Sequence, residues 1–326
     1  MQQQAQIRLA RAGELAAVSA LLETGPPNLV QDDAKAPPLG RQLRDLSADG
    51  CLIIAETEKG HAAVLALDLM RQRLIACHLN PAMLDKAAPR RLIAAAETRA
   101  LRFGLRSLSC TVQPAALRFM FSLGYDLTSD SVDAAGPFPV SKSLETGAAA
   151  WVRKIFGLHR ELGIPENYGA QHRLTLIEDC EELEFIGFDI YDREQWLHPA
   201  AAAAWRKMHE AAASAGVDLQ VVSAFRGRDY QAGLIRAKLA KGLNMKQILR
   251  VSAAPGFSQH HSGRALDLKA PGSPALEEEF ATTSAYRWLS ANARFFGFTE
   301  TLGKNNRHAI IWEPWHWYYG GDAIKG

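Results

Sequence analysis

The segment Ser258-Gln-His260-His-Ser-Gly263-Arg-Ala265-Leu-Asp267 decides how this chain is read. Gly263 permits a sharp turn after His260. On a strand beyond that turn, Ala265 and Asp267 share one face, while Leu266 and Leu268 turn to the other. Ala265 is too small to shield Asp267, so an imidazole and a carboxylate can meet beside a core-facing strand. Further along stands Glu313-Pro-Trp-His316. On a straight strand Glu313 and His316 would face opposite ways, and Pro314 rules out a helix interior. A turn or bulge at Pro314 is therefore expected. Upstream, Ser223-Ala-Phe-Arg226 and then Gln231 add a cation and polar side chains. Together His260, Asp267 and His316 supply two imidazoles and one carboxylate. A catalytic zinc site wants three such donors and a position left open for water.

The elements around these segments can be placed by pattern. Pro199 suits the first turn of an Ala-rich helix running to about residue 215, and Gly216 suits its stop. A strand is expected over 217–223 and a helix over 229–241. A strand-like pair at 265–268 and 308–312 brackets a helix over 276–294. The stretches 241–252 and 272–279 read as loops.

The first half has a different rhythm. A strand at 7–10 leads into an amphipathic helix, then a loop rich in Pro, Gly and Asp over 25–40. A hairpin-like pair follows at 51–56 and 62–67, joined across Lys59-Gly60. A strand at 73–77 precedes a helix over 91–103, which Gly104 closes. A strand at 108–112, a helix at 114–123 and a strand at 138–144 complete it. The small, polar run over 145–150 marks a junction between two domains, as the length of 326 residues allows at roughly 150 per domain.

Composition narrows the partners. Lys+Arg 37 against Asp+Glu 35 leaves a formal charge of +2, without the basic excess of a polyphosphate binder. Nucleic acid is not expected as a partner. No apolar run reaches the ~18 residues needed to span a bilayer, so neither is a membrane. The four cysteines are scattered, with no CxxC pair, as in a reducing compartment. Arg8, Arg11 and Glu14 interrupt what would be a signal peptide's apolar run. A cytoplasmic location is the expectation.

The second half, over about residues 180–321, resembles the zinc D-alanyl-D-alanine carboxypeptidase family of VanY type, which also holds VanX-like dipeptidases. Residues 258–267 fit its SxHxxGxAxD pattern, 313–316 its ExxH as EPWH, and 223–226 its S-x-aromatic-R segment. The resemblance implies Zn2+ as cofactor, His260, Asp267 and His316 as its ligands and Glu313 as catalytic base. Arg226 would steady the developing oxyanion, and Ser258, Gln231, Ser223 and Trp315 would contact substrate. An N/N/O ligand set also admits other divalent ions, so zinc itself rests on the resemblance.

The first half is similar to the GNAT acetyltransferases. Residues 113–125, from Gln113 through Ala116, Phe119 and Gly124 to Tyr125, resemble the family's N-x-x-A-x-x-F-Y-x-x-x-G-F segment, with Gln where Asn is usual. The family's pyrophosphate loop uses glycines so that backbone N–H groups can approach phosphate. The corresponding run, 85–91, contains no Gly, and Pro89 removes a donor. A degenerate cofactor site without acetyl-CoA is expected there.

The expected fold class is α+β. A GNAT-like α/β domain occupies 1–146, and 151–326 forms a VanY-like zinc carboxypeptidase domain of α+β type with an antiparallel sheet. The function implied is a metallopeptidase that removes terminal D-Ala from peptidoglycan-derived peptides or muropeptides. Cytoplasmic placement favours recycled tetrapeptides and hence L,D-cleavage. The alternatives are D,D-cleavage of D-Ala-D-Ala ends, and N-acetyltransferase activity in the first half with the zinc half recognising substrate.

Overall fold

The structure, a computed structural model, describes residues 4–23, 39–80, 82–128 and 137–321. The chain divides into two units: Met1–Ala149 with Glu166–Arg173, and Ala150–Pro165 with Leu174–Gly326. Most of the loop expected over 25–40 lies outside the described residues; a helix, Leu39–Ala48, begins at its end.

In the first unit the strands are β1 (Gln6–Leu9), β2 (Leu52–Thr57), β3 (Gly60–Asp68), β4 (Arg73–Leu79), β5 (Ser107–Val112), β6 (Asp126–Leu127) and β7 (Phe138–Ser143). They form one sheet in the order β1-β2-β3-β4-β5-β7-β6. Only β4 and β5 run parallel, and the helix Ala88–Arg102 lies between them in sequence, since a parallel pair needs a crossover. β3 is buried on both faces. Ala63, Leu65 and Leu67 belong to one apolar cluster, while Val64 and Ala66 belong to another. That is why this strand reads as a continuous apolar run and not as an alternation. Residues 166–173 return to this unit, where the Glu166 carboxylate lies 3.3 Å from Arg106 and Arg173 lies 3.3 Å from Asp49.

The second unit contains a hairpin of β8 (Glu184–Phe188) and β9 (Glu194–Leu197). Its main sheet is built from β10 (Gln220–Ser223), β11 (Ala265–Lys269), β12 (Phe298–Glu300) and β13 (His316–Tyr319). These pair antiparallel throughout, in the order β10-β11-β13-β12. On β11, Leu266 and Leu268 enter a core with Trp205, Met208, Phe280, Phe298 and Trp317. Burying each leucine contributes roughly 1.5–3 kcal/mol. This places Asp267 on the face away from that core, as the alternation requires. The helix Pro199–Ser214 supplies Trp205 and Met208, and the His198 ring caps its start by accepting from the Ala200 amide.

Several elements differ from expectation. The strand expected over 308–312 is a loop, and the partner of β11 is His316–Tyr319, beyond the Pro314 turn. Asn306 holds that loop by donating to the carbonyls of Gly303 and Ile310, and Ala309 takes φ +52. The helix expected over 276–294 is broken at Thr283. Its extended backbone and its hydroxyl, accepting from the Tyr286 amide, start a separate helix, Ser284–Asn292. The stretch 241–252 is no plain loop either. Asn244 and Gln247 form a reciprocal cap that opens the helix Met245–Val251.

Candidate active site

Register across the second sheet assembles the site. Ser223 stands opposite Asp267, and Asp267 stands opposite His316. Directly opposed residues present their side chains on the same face. His260 arrives from the short 3-10 turn Gln259–Ser262, which Gly263 terminates at φ +65. A Cβ at Gly263 would stand 2.9 Å from the His198 backbone nitrogen, so any larger residue would push this turn off the sheet. Glu313 is brought in by the turn expected at Pro314. The His316 amide donates to the Glu313 carbonyl at 3.0 Å, and the Trp317 indole donates to the Pro314 carbonyl at 3.1 Å.

His260, Asp267 and His316 are buried, and their ligand atoms all lie within 4.8 Å of one another. His260 Nε2 is 3.2 Å from Asp267 Oδ2, and His316 Nδ1 is 3.0 Å from Asp267 Oδ1. The opposite nitrogen of each ring is engaged by a carbonyl oxygen. His260 Nδ1 meets the Ala224 carbonyl, and His316 Nε2 meets Gln259 Oε1 at 2.8 Å. A carbonyl oxygen only accepts, so each neutral ring carries its proton there and turns a bare nitrogen toward Asp267. Burial, reinforced by Arg226 and opposed by Asp267, lowers His260 to about 4 and keeps it neutral. Burial by itself would raise the Asp267 carboxyl. Positive charge around it, from the Arg226 guanidinium 3.4 Å from Oδ2, opposes this, and Asp267 is held well below the usual carboxylate range.

Two lone pairs thus converge on an anion, an arrangement that calls for a cation. His260 Nε2 makes no hydrogen bond, although it is buried. Donors about 2.0–2.2 Å from a tetrahedral zinc stand about 3.4 Å apart, near the separations observed. The three residues therefore fit a zinc ion. A second cluster, Glu14, Glu56 and His61 in the first unit, is different. There Arg8 already bridges the two carboxylates, at 2.6 and 2.8 Å.

A cleft of about 460 Å³ opens on the buried triad, and Arg226, Gln231, Ser258, Glu313 and Trp315 line it. Burial raises the Glu313 carboxyl to about 7, against the lowering influence of His316. Arg226 Nη1 lies 3.2 Å from Ser223 Oγ and 3.4 Å from Asp267 Oδ2. Gln231 donates to the Ala253 carbonyl at 2.8 Å, which leaves its own carbonyl oxygen buried and unpartnered. Ser223 is not among the cleft-lining residues; its hydroxyl accepts from Arg226 instead. His261 is no part of the triad. Its Nε2 accepts from the Gly256 amide and its Nδ1 donates to the Arg226 carbonyl, so it ties two loops together.

Sequence reasoning passed over Gln259, Thr301 and Lys238. Gln259 Oε1 orients His316 and is held in turn by the Thr301 hydroxyl at 2.7 Å. Gln259 sits between Ser258 and His260, and that position was the one available signal. Thr301 lies 42 residues away in sequence, with nothing to connect the two.

Residues 194–322 match the family model "VanY: D-alanyl-D-alanine carboxypeptidase". The second half of the chain carries a VanY carboxypeptidase domain. It is similar to YodJ of Bacillus subtilis (strain 168), a carboxypeptidase by name, with 28% identity over 168 residues, 50% of this chain and 59% of that one. The D-alanyl-D-alanine carboxypeptidase of Enterococcus faecalis (strain ATCC 700802 / V583) is 32% identical over 130 residues, 35% of this chain and 44% of the other. The chain thus spans about half the length of the curated relatives it matches. Among solved structures, the LdcB LD-carboxypeptidase is 28% identical, over 44% of this chain and 70% of its own, with a TM-score of 0.40. The N-acetylglutamate synthase of Neisseria gonorrhoeae is also among the structural neighbours, 15% identical over 44% of this chain and 36% of its own, with a TM-score of 0.34. So is a phosphinothricin N-acetyltransferase, 18% identical over 43% of this chain and 99% of its own, with a TM-score of 0.33. All the residues of the buried triad, with Glu313, lie inside the segment that matches the VanY model.

Proposed function

We propose that the VanY domain is a zinc-dependent carboxypeptidase. In this reading it removes the terminal D-Ala from peptidoglycan stem peptides, cutting the L,D bond of recycled tetrapeptides in the cytoplasm. One observation carries the reading: two bare imidazole nitrogens converge on Asp267 in a cleft that Glu313 and Arg226 also line. The match of residues 194–322 to the VanY model supports the choice of peptide chemistry.

When bound, zinc supplies Lewis acidity that lowers the pKa of water to about 7 and polarises the scissile carbonyl. Glu313 takes a proton from the attacking water as its oxygen bonds to the carbonyl carbon. A carboxylate raised to about 7 by burial is matched to that task near neutral pH. The Arg226 guanidinium shares the negative charge that gathers on the carbonyl oxygen. As the C–N bond breaks, Glu313 returns the proton to the departing amine. The products are free D-Ala and a peptide shortened by one residue. His260 and His316 are kept in their donor tautomers by the Ala224 carbonyl and Gln259.

Cytoplasmic placement favours the L,D bond, because stem peptides present there include recycled tetrapeptides. Incubating the zinc-loaded protein with tetrapeptide and pentapeptide muropeptides, followed by mass spectrometry, tests the reading. The tetrapeptide should lose one alanine. Loss from the pentapeptide alone selects the D,D bond instead, and no loss from either removes the assignment.

A further inference from the structure

The helix Arg228–Ala240 turns one face to the cleft. Gln231, Leu234 and Lys238, spaced by three and four residues, all line it. Lys238 is half-buried, and its ammonium donates to the Ser252 hydroxyl at 2.7 Å, from the side chain of another cleft-lining residue. Among the described residues no carboxylate pairs with this ammonium. Burial lowers the pKa of the Lys238 ammonium, Arg226 and Lys241 add to that, and Glu313 opposes it, so Lys238 lies within electrostatic reach of the base. A half-buried, unpaired cation is costly to the fold, since desolvation is not offset by a counter-ion. Arg226, also in the cleft, is already shared between Ser223 and Asp267.

A peptidase that removes only the last residue must recognise what an internal amide lacks, a free negative charge at the chain end. We propose that Lys238, braced by Ser252, receives the terminal α-carboxylate of the peptide substrate, an inference that rests on the carboxypeptidase reading above. The carboxylate provides the counter-ion that the folded chain withholds. Ser252 accepts from Lys238, which leaves its own O–H to donate to the second carboxylate oxygen. Leu234, Val251 and Ile310 line the same cleft and give it apolar surface that a methyl side chain can bury. Lys238 thereby determines specificity for a free C-terminus and takes no part in moving protons.

The test uses the full zinc-loaded chain with diacetyl-L-Lys-D-Ala and diacetyl-L-Lys-D-Ala-D-Ala, each as free acid and as C-terminal amide. Lys238→Met should raise KM for the free acid about 10–100-fold, the loss of one charge-assisted contact, with kcat within about threefold. It should also abolish the preference of the parent protein for acid over amide. Lys238→Arg should restore most of both, which a merely structural role would not do. An unchanged KM with the acid preference intact in Lys238→Met overturns the inference and leaves the carboxypeptidase reading standing. Should the parent protein not turn over either peptide, calorimetry with the same four compounds decides. Binding of acid but not amide, lost in Lys238→Met, keeps the carboxylate receptor and removes only the hydrolysis. No binding of either form overturns both.

Discussion

The start of the helix Ala88–Arg102 in the first unit and the buried triad of the second are both places where a ligand would be sought, and they are finished in opposite ways. At the helix start the charged groups are paired within the chain, although Arg91 Nε is itself buried without a partner among the described residues. Asp85 accepts from the Ala87 amide at 2.9 Å and pairs with Arg91 at 2.7 Å, while Arg90 donates to the Ser122 hydroxyl at 2.7 Å. An internal carboxylate sits where an anionic cofactor would seek N–H groups and positive charge. At the triad the chain leaves its demands open. Two imidazole nitrogens converge on one carboxylate, and Gln231 and His260 each keep a buried polar atom unpartnered among the described residues. Buried polar groups are nearly always satisfied, and the two left over here belong to residues that line a cleft, where something from outside can reach them.

The contrast can be broken or sharpened by experiment, and the largest effect is expected at the ligands. His316→Ala should lose its metal, read as a fall in zinc stoichiometry by elemental analysis; an unchanged ratio would remove His316 from the set. Glu313→Ala should keep zinc and fold but lose turnover by about 10²–10⁴-fold, the scale of general acid–base catalysis. Near-parental rates in that variant would take the base away from the site.

Smaller shifts test the surroundings. Gln259→Leu removes the acceptor that orients His316 and should weaken zinc binding by about 10–100-fold in a chelator competition. Equal affinity would reduce Gln259 to a packing residue. The pH dependence of the metal-free protein tests the burial of Glu313. Its carboxyl is raised from an ordinary 4.5 to about 7, so the folded state holds that proton more tightly than the unfolded chain. The stability this gives is present below about pH 4.5 and is lost as pH rises through 7. Glu313→Gln should therefore be more stable than the parent at pH 8, by about 1–3 kcal/mol, with the gap closing toward pH 5. A gap that stays constant in thermal melts across this range would contradict a buried carboxyl. The smallest signal is expected from the first unit: acetyl-CoA should give no heat at micromolar concentration in calorimetry. Binding there would erase the contrast from the other side.

Much of this was legible in one dimension because the chemistry is crowded into short segments. The alternation of Ala265, Leu266, Asp267 and Leu268 assigns a face to each residue, and β11 uses those faces. Pro314 required a turn, and the turn is there. The strand after it was misplaced because 308–312 is apolar enough to pass for a strand. What decides against it is Asn306, which holds the segment as a loop through bonds that leave no periodic trace. Asn244 and Gln247 stand three apart, the spacing of a reciprocal cap, and they open the helix Met245–Val251 where apolar periodicity is too short to show one.

The sequence by itself determined which side chains could bind a metal and how each is aimed locally, since a glycine turn, a strand's two-residue period and a proline act within a few bonds of the residue they position. Only the tertiary structure decided which nitrogen of each imidazole stays bare, that Gln259 and Thr301 stand behind His316, and that Lys238 shares a cleft with Glu313. Those relations depend on strand register and on loops meeting across tens of residues. Hydrogen bonds and desolvation fix them only once the core has closed.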